Sequence, residues 1–249
     1  MSVENGEWIM RGLAWDDPYR VRTWRELVNW INEAGFLPLF ANEIQGFSVE
    51  EHVSPNFWWT GDREQDPWEW REIMAHSREV VYGKFFNKKA GFLSLAWMPY
   101  FANCRRDGYD FDSLYDEGLA NARSKQIMDV FSDGDDGWKD ELIFSTELKK
   151  LAGFGKEGSK NFPGIMTELQ MQLYLVVVDF KRRKNKRGGE YGMPVSILLP
   201  PEAVWGYDAV TSAYNEAPEA SAERIAAQIR KLWPSADEKA IRRVVGKAK

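Results

Sequence analysis

Polar and apolar positions alternate with two periods along this chain. Leu27, Trp30, Ile31 and Ala34 recur at helical spacing. Thr23 and Glu26 form a capping-box pair ahead of them and Gly35 follows, which predicts a helix over 24 to about 34. Asp66, Pro67 and Glu69 open a second helix that runs to about 76. Two β-rich runs, 80–86 and 92–98, flank Asn87-Lys-Lys-Ala-Gly91 and read as a hairpin. A long helix is predicted over 112–131, and 132–137 (SDGDDG) forms an acidic, glycine-rich boundary. The order then recurs. A short helix over 145–152 precedes a helix over 161–174 with Pro163 in its first turn, and strands over 175–180 and 193–199 surround a basic loop. Two helices close the chain, the first capped by Ser221 and ending before Pro234, the second opened by a Ser235/Glu238 capping box.

Both halves thus read helix, helix, hairpin, and both first helices end in Ala-Gly-Phe, at 34–36 and 152–154. The expected fold is α+β: tandem winged-helix units, each a helix-turn-helix plus a β-hairpin, with extra C-terminal helices. The units are 1–110 with a Trp-rich insertion, a connecting helix and acidic loop over 111–137, a second unit with a basic wing over 138–206, and a helical segment over 207–249.

Composition narrows the function classes. Of 249 residues, 33 are basic and 38 acidic, a net charge of −5, which by itself argues against nucleic acid. Position changes that reading. Residues 181–187 read KRRKNKR, and these six cations leave 27 basic against 38 acidic side chains elsewhere, a net of −11. The longest apolar run has six residues, too short for a bilayer, and the N-terminus lacks the pattern of a signal peptide. A cytoplasmic location is expected. A lone Cys104 and only two histidines, His52 and His76, leave no motif for a metal, a disulfide, a His-based triad or a cofactor.

The basic run yields the main candidate contacts. Lys181, Arg182, Arg183, Lys184, Lys186 and Arg187 on a hairpin tip would hold DNA phosphates without reading sequence. The same charges would also guard an edge strand from aggregation. On the helix before them, Thr167 and Gln170 lie three apart and off the apolar face, positions for a base or phosphate contact or for an ordinary polar face. Nine of 12 tryptophans precede residue 100. Trp58 and Trp59 could form a base-stacking pocket beside Asp62, the candidate acid–base or cation-stabilising carboxylate, or pack as core. The string 153–160 (GFGKEGSK) lacks the order and the preceding strand of a phosphate-binding loop.

Ala34-Gly-Phe-Leu-Pro-Leu-Phe40, Trp59, the Tyr82 hairpin and Trp97-Met-Pro99 resemble the N-terminal part of the AlkZ/YcaQ winged-helix DNA glycosylases. Three phrases, WWTGDREQDPWEWR (58–71), YGKFF (82–86) and RRDGYDFD (105–112), are similar to the AlkZ-related group, and the likeness spans roughly residues 20 to 215. The resemblance implies a DNA-binding scaffold and double-stranded DNA as partner. In the glycosylases, which excise alkylated bases and unhook crosslinks, a Gln-x-Gln or Gln-x-Asp motif follows the first Gly-Phe. Here Pro38 and Phe40 occupy that place, and Gln170-Met-Gln172 lies in the second half. Three functions follow: a winged-helix DNA-binding protein, a DNA glycosylase using other residues, or a protein-interaction module or homodimer.

Overall fold

The computed structural model describes residues 2–4, 7–134, 137–185 and 187–246. After a small hairpin, β1 (Ser2–Glu4) and β2 (Glu7–Ile9), Thr23 caps α1 (Trp24–Ala34) by accepting the Glu26 N–H at 3.2 Å. Leu27, Val28, Ile31 and Ala34 bury the predicted face. Gly35 stops the helix with φ at +94° and donates its N–H to Ile31. A Cβ here would sit 2.5 Å from the Trp97 indole nitrogen, so the Ala-Gly-Phe motif is needed for close packing as well as for the turn.

Next come β3 (Phe36–Pro38), an insertion with short 3₁₀ turns, α2 (Pro67–Ser77), β4 (Val80–Phe86) and β5 (Lys89–Ser94). The insertion is organised on buried Glu50, whose carboxylate accepts the N–H groups of Arg11 and Ala41. The chain continues through α3 (Met98–Arg106), α4 (Phe111–Asp116) and α5 (Ala122–Met128). In the second half, α6 (Ser145–Leu151) and α7 (Phe162–Met171) lead to β6 (Val176–Lys184) and β7 (Glu190–Leu199). The tail is α8 (Pro201–Trp205), α9 (Tyr207–Thr211), α10 (Pro218–Leu232) and α11 (Glu238–Val245). The fold is α+β, and the order helix, helix, hairpin occurs twice.

The two hairpins merge into one antiparallel sheet in the order β3-β5-β4-β6-β7, joined where Tyr82 pairs with Val177. Helices cross between the halves: α2 packs on β6, and α7 packs on β4. Strand β4 is therefore covered on both sides and reads as an apolar run rather than an alternation.

Several boundaries differ from the sequence pattern. The helix expected over 112–131 breaks at Gly118, whose φ of +73° cannot continue it, and Asn121 caps a new helix by accepting the Ser124 N–H. The strand expected over 92–98 stops at Ser94, because Pro99 sits in the first turn of α3. Ser221 is buried inside α10 rather than at its cap. Its hydroxyl donates to Glu216 at 2.7 Å and accepts from Asn103 at 3.0 Å. Asp237, not Ser235, caps α11. Among the described residues, no helix is long and apolar enough to cross a membrane.

Candidate nucleic-acid interface

The inner part of β6 is buried through Asp179, and the strand is exposed from Lys181 onward. Its partner β7 mirrors this, exposed at its start and buried at its end. The hairpin thus projects its distal half away from the core. The basic run is mostly strand and not loop, a correction to the sequence pattern: Lys181 to Lys184 continue the ladder, with Arg183 opposite Tyr191 and Lys184 opposite Glu190. The turn itself is organised by Asn185, whose side-chain oxygen accepts the N–H groups of Arg187 and Gly189, with Gly188 at φ +80°. Lys186 lies outside the described residues.

The ladder shifts register between Lys181 and Arg183, so strict alternation of side chains does not hold across the basic run. Arg182 donates across the hairpin to the Gly192 carbonyl at 2.7 Å. Lys181 lies 3.3 Å from Asp179, which His76 approaches at the same distance from the end of α2. Arg183, Lys184 and Arg187 are exposed, as are Tyr191 and Met193 on β7. A groove of about 960 Å³ runs along the hairpin beside α6. Lys181, Arg182, Arg183 and Lys184 line it together with Arg63 and Lys150, against Glu72, Glu147 and Glu190. Six cations face three acids there, in a chain whose net charge is −5.

Helix α7 presents a different picture from the one its polar residues predict. Gln170 is buried, not off the apolar face: its amide donates to Met166 at 3.0 Å, and its carbonyl accepts the Lys84 N–H at 3.2 Å. Strand β4 shifts register between Gly83 and Phe86, and Gln170 supplies the acceptor for a backbone N–H at that irregularity. Thr167 is half-buried, donating to Pro163 at 2.9 Å and lying 3.4 Å from the Lys84 ammonium. Both residues turn toward β4.

The tryptophans divide. Trp58 is core, stacked on Phe40 at 5.6 Å, with its indole N–H buried and unpaired among the described residues. Trp59 is 46% exposed, has φ at 61°, and lies tilted against Trp68 with ring centroids 6.4 Å apart. The Asp62 carboxylate is exposed and accepts the Glu64 N–H and the Gln65 side-chain amide, so it shapes the turn before α2. Pro38 lies in edge strand β3 opposite Gly91, and Phe40 packs between Trp58 and Trp68. The positions that the resemblance sets against the glycosylase glutamines are thus in apolar packing.

The pattern did not single out Arg71, whose guanidinium lies between Trp68 at 3.8 Å and Phe180 at 4.2 Å, with Glu72 accepting from it at 2.9 Å. It joins the tryptophan cluster to the root of the β6–β7 hairpin. Trp68 and Arg71 are three apart on α2, a spacing that brings them to one face. Burial raises the Glu72 carboxyl above its ordinary range, with Arg71 opposing. Cys104 is buried and its thiol is pushed up to about 11 by that burial, so it is not a poised nucleophile.

No curated protein and no solved structure matches this chain. A family model described as AlkZ related matches residues 21–246, from just before α1 through the C-cap of α11, and so takes in both helix–helix–hairpin runs, the basic hairpin and the tail. On that match, the chain belongs to the AlkZ-related family.

Proposed function

We propose that this protein binds duplex DNA through the β6–β7 wing, in a DNA-repair setting, as a winged-helix scaffold that does not use the glycosylase glutamine motif. The observation that carries this reading is the wing itself: exposed cations on a ribbon that leaves the core, lining a groove with Arg63 and Lys150. Such a ribbon would follow phosphates and read little sequence. The acidity of the remaining surface confines the contact to this edge of the molecule.

Gln170 and Thr167 are occupied at the α7–β4 contact, which favours phosphate contact by the wing over base reading by α7. Asp62, bound into its own turn, gives little support to base excision.

Fluorescence anisotropy on a labelled duplex across a salt series tests the reading. If about six phosphates are neutralised, log K falls against log salt with a slope near −5. Changing Lys181, Arg182, Arg183, Lys184, Lys186 and Arg187 to Gln should abolish most of that slope. Affinity unchanged by those six substitutions would reject the wing as the contact.

A further inference from the structure

A second cavity, of about 410 Å³, opens beside the groove and shares Thr146 and Phe180 with it. Its volume is in the usual range of small-molecule sites. The sheet supplies Val177, Leu198 and Ala90, and the first turns of α7 supply Phe162, Pro163 and Met166. Among the described residues, no carboxylate lines it. Three cations do, Arg71, Lys84 and Lys149, with hydroxyls from Ser145, Thr167 and Ser196. Glu72 pairs with Arg71 from outside the cavity, so the lining itself is positive on an acidic chain, and apolar walls strengthen its pull on an anion.

Arg71 is the most telling of these. Its side chain is only 6% exposed, and its Nε is buried without a hydrogen-bond partner among the described residues. Glu72, which takes one of its other nitrogens, lines the groove and not this cavity. A buried guanidinium with an unused donor is a standing cost that a bound acceptor would remove.

We propose that this cavity binds a small amphipathic anion, with an aromatic or short alkyl body against α7 and the sheet and a carboxylate or phosphate head at Arg71, Lys84 and Lys149. The site is separate from the wing contact: none of the described cations of residues 181–187 lines it.

Calorimetric titration of the full chain with octanoate, 4-phenylbutyrate and phenyl phosphate tests this, with octanamide and 4-phenylbutanol as neutral matches. Saturable binding of an anion but not of its neutral match is expected, and the better head group tells carboxylate from phosphate. Lys84 and Lys149 are exposed, so K84Q/K149Q should keep the fold while weakening binding by about tenfold or more. Amide shifts on binding should fall on α7 and at Lys84. Should the double variant fail to fold, K149Q alone carries the comparison. No saturable binding by any of the three anions, equal binding of the neutral matches, or affinity unchanged in the lysine variants would overturn the proposal. The six-Gln wing variant should bind the anion as the natural chain does, which separates this site from the DNA reading.

Discussion

Arg106 is buried at the end of α3, and its guanidinium donates to Glu202 and to the Leu173 carbonyl while lying 4.5 Å over the Tyr174 ring. Burial alone would lower its pKa, but Glu202, Tyr214 and Tyr174 together outweigh that and raise it. The pair ties α3 to α8, two segments whose sequences, RRDGYDFD and LPPE, share no visible pattern. Nearby, the Tyr109 carbonyl accepts the hydroxyls of Tyr174 and Tyr214, and Asp110 accepts that of Tyr207. The phrase is therefore a structural hub. Truncating one partner leaves the other charge buried and alone, which costs more than the pair contributes. Glu202→Ala should destabilise the fold by about 3–5 kcal/mol, read as a lowered urea midpoint. Arg106→Met with Glu202→Leu should recover a large part of that loss.

At the level of elements, caps and breaks decide where helices begin and end. The α9–α10 junction shows how. Glu216 accepts the Ser221 hydroxyl at 2.7 Å and the Arg224 guanidinium at 3.1 Å, and the serine contact, then the arginine, hold its carboxyl below the ordinary range. A carboxylate with a lowered folded pKa contributes stability that is fully present above its unfolded value. That contribution is lost as pH falls through the folded one. Thermal unfolding of the natural chain and of Glu216→Gln should therefore differ most at neutral pH and converge in acid, below the ordinary carboxylate range. A constant difference across that window would assign the effect to packing. Much of this element layer is legible in the sequence: Thr23, Asp66 and Pro163 mark helix starts because capping is local chemistry. Ser221 misleads because its hydroxyl serves a partner 118 residues away, Asn103, which no local pattern encodes. The basic hairpin was legible as a charge run. Its continuation as strand was not, since ladder pairing with β7 overrides the weak strand preference of Lys and Arg. Gln170 escaped for a similar reason, its partner Lys84 lying 86 residues earlier.

At the scale of the whole molecule, the repeat in element order would suggest two units that fold apart, yet the contacts run between them. The hairpins share one sheet through Tyr82 and Val177, and the buried apolar residues form one cluster from Leu27 to Val245. Arg105 adds a polar tie. It is buried among three carbonyls, donating to Met171 at the end of α7, Phe85 in β4 and Val245 at the end of α11. Burial holds its guanidinium down to about 10, which still leaves it charged at neutral pH. Two of its acceptors are terminal helix carbonyls, where a cation also meets the negative end of the helix dipole. Chains of this length often unfold through intermediates when their parts are loosely joined. Here the joint includes a strand pair, a helix crossing each way and a charged side chain with three acceptors. Urea unfolding followed by far-ultraviolet circular dichroism, which reports both halves, and by tryptophan fluorescence, which reports mainly the first, should give coincident transitions. Arg105→Met would leave those carbonyls buried without their donor, at about 1–3 kcal/mol for each. It should lower the midpoint and separate the two curves, the second half and the tail losing structure while the tryptophan-rich half persists. Coincident curves in that variant would move the coupling to the Tyr82–Val177 strand pair, and separated curves in the natural chain would show that the two units fold independently.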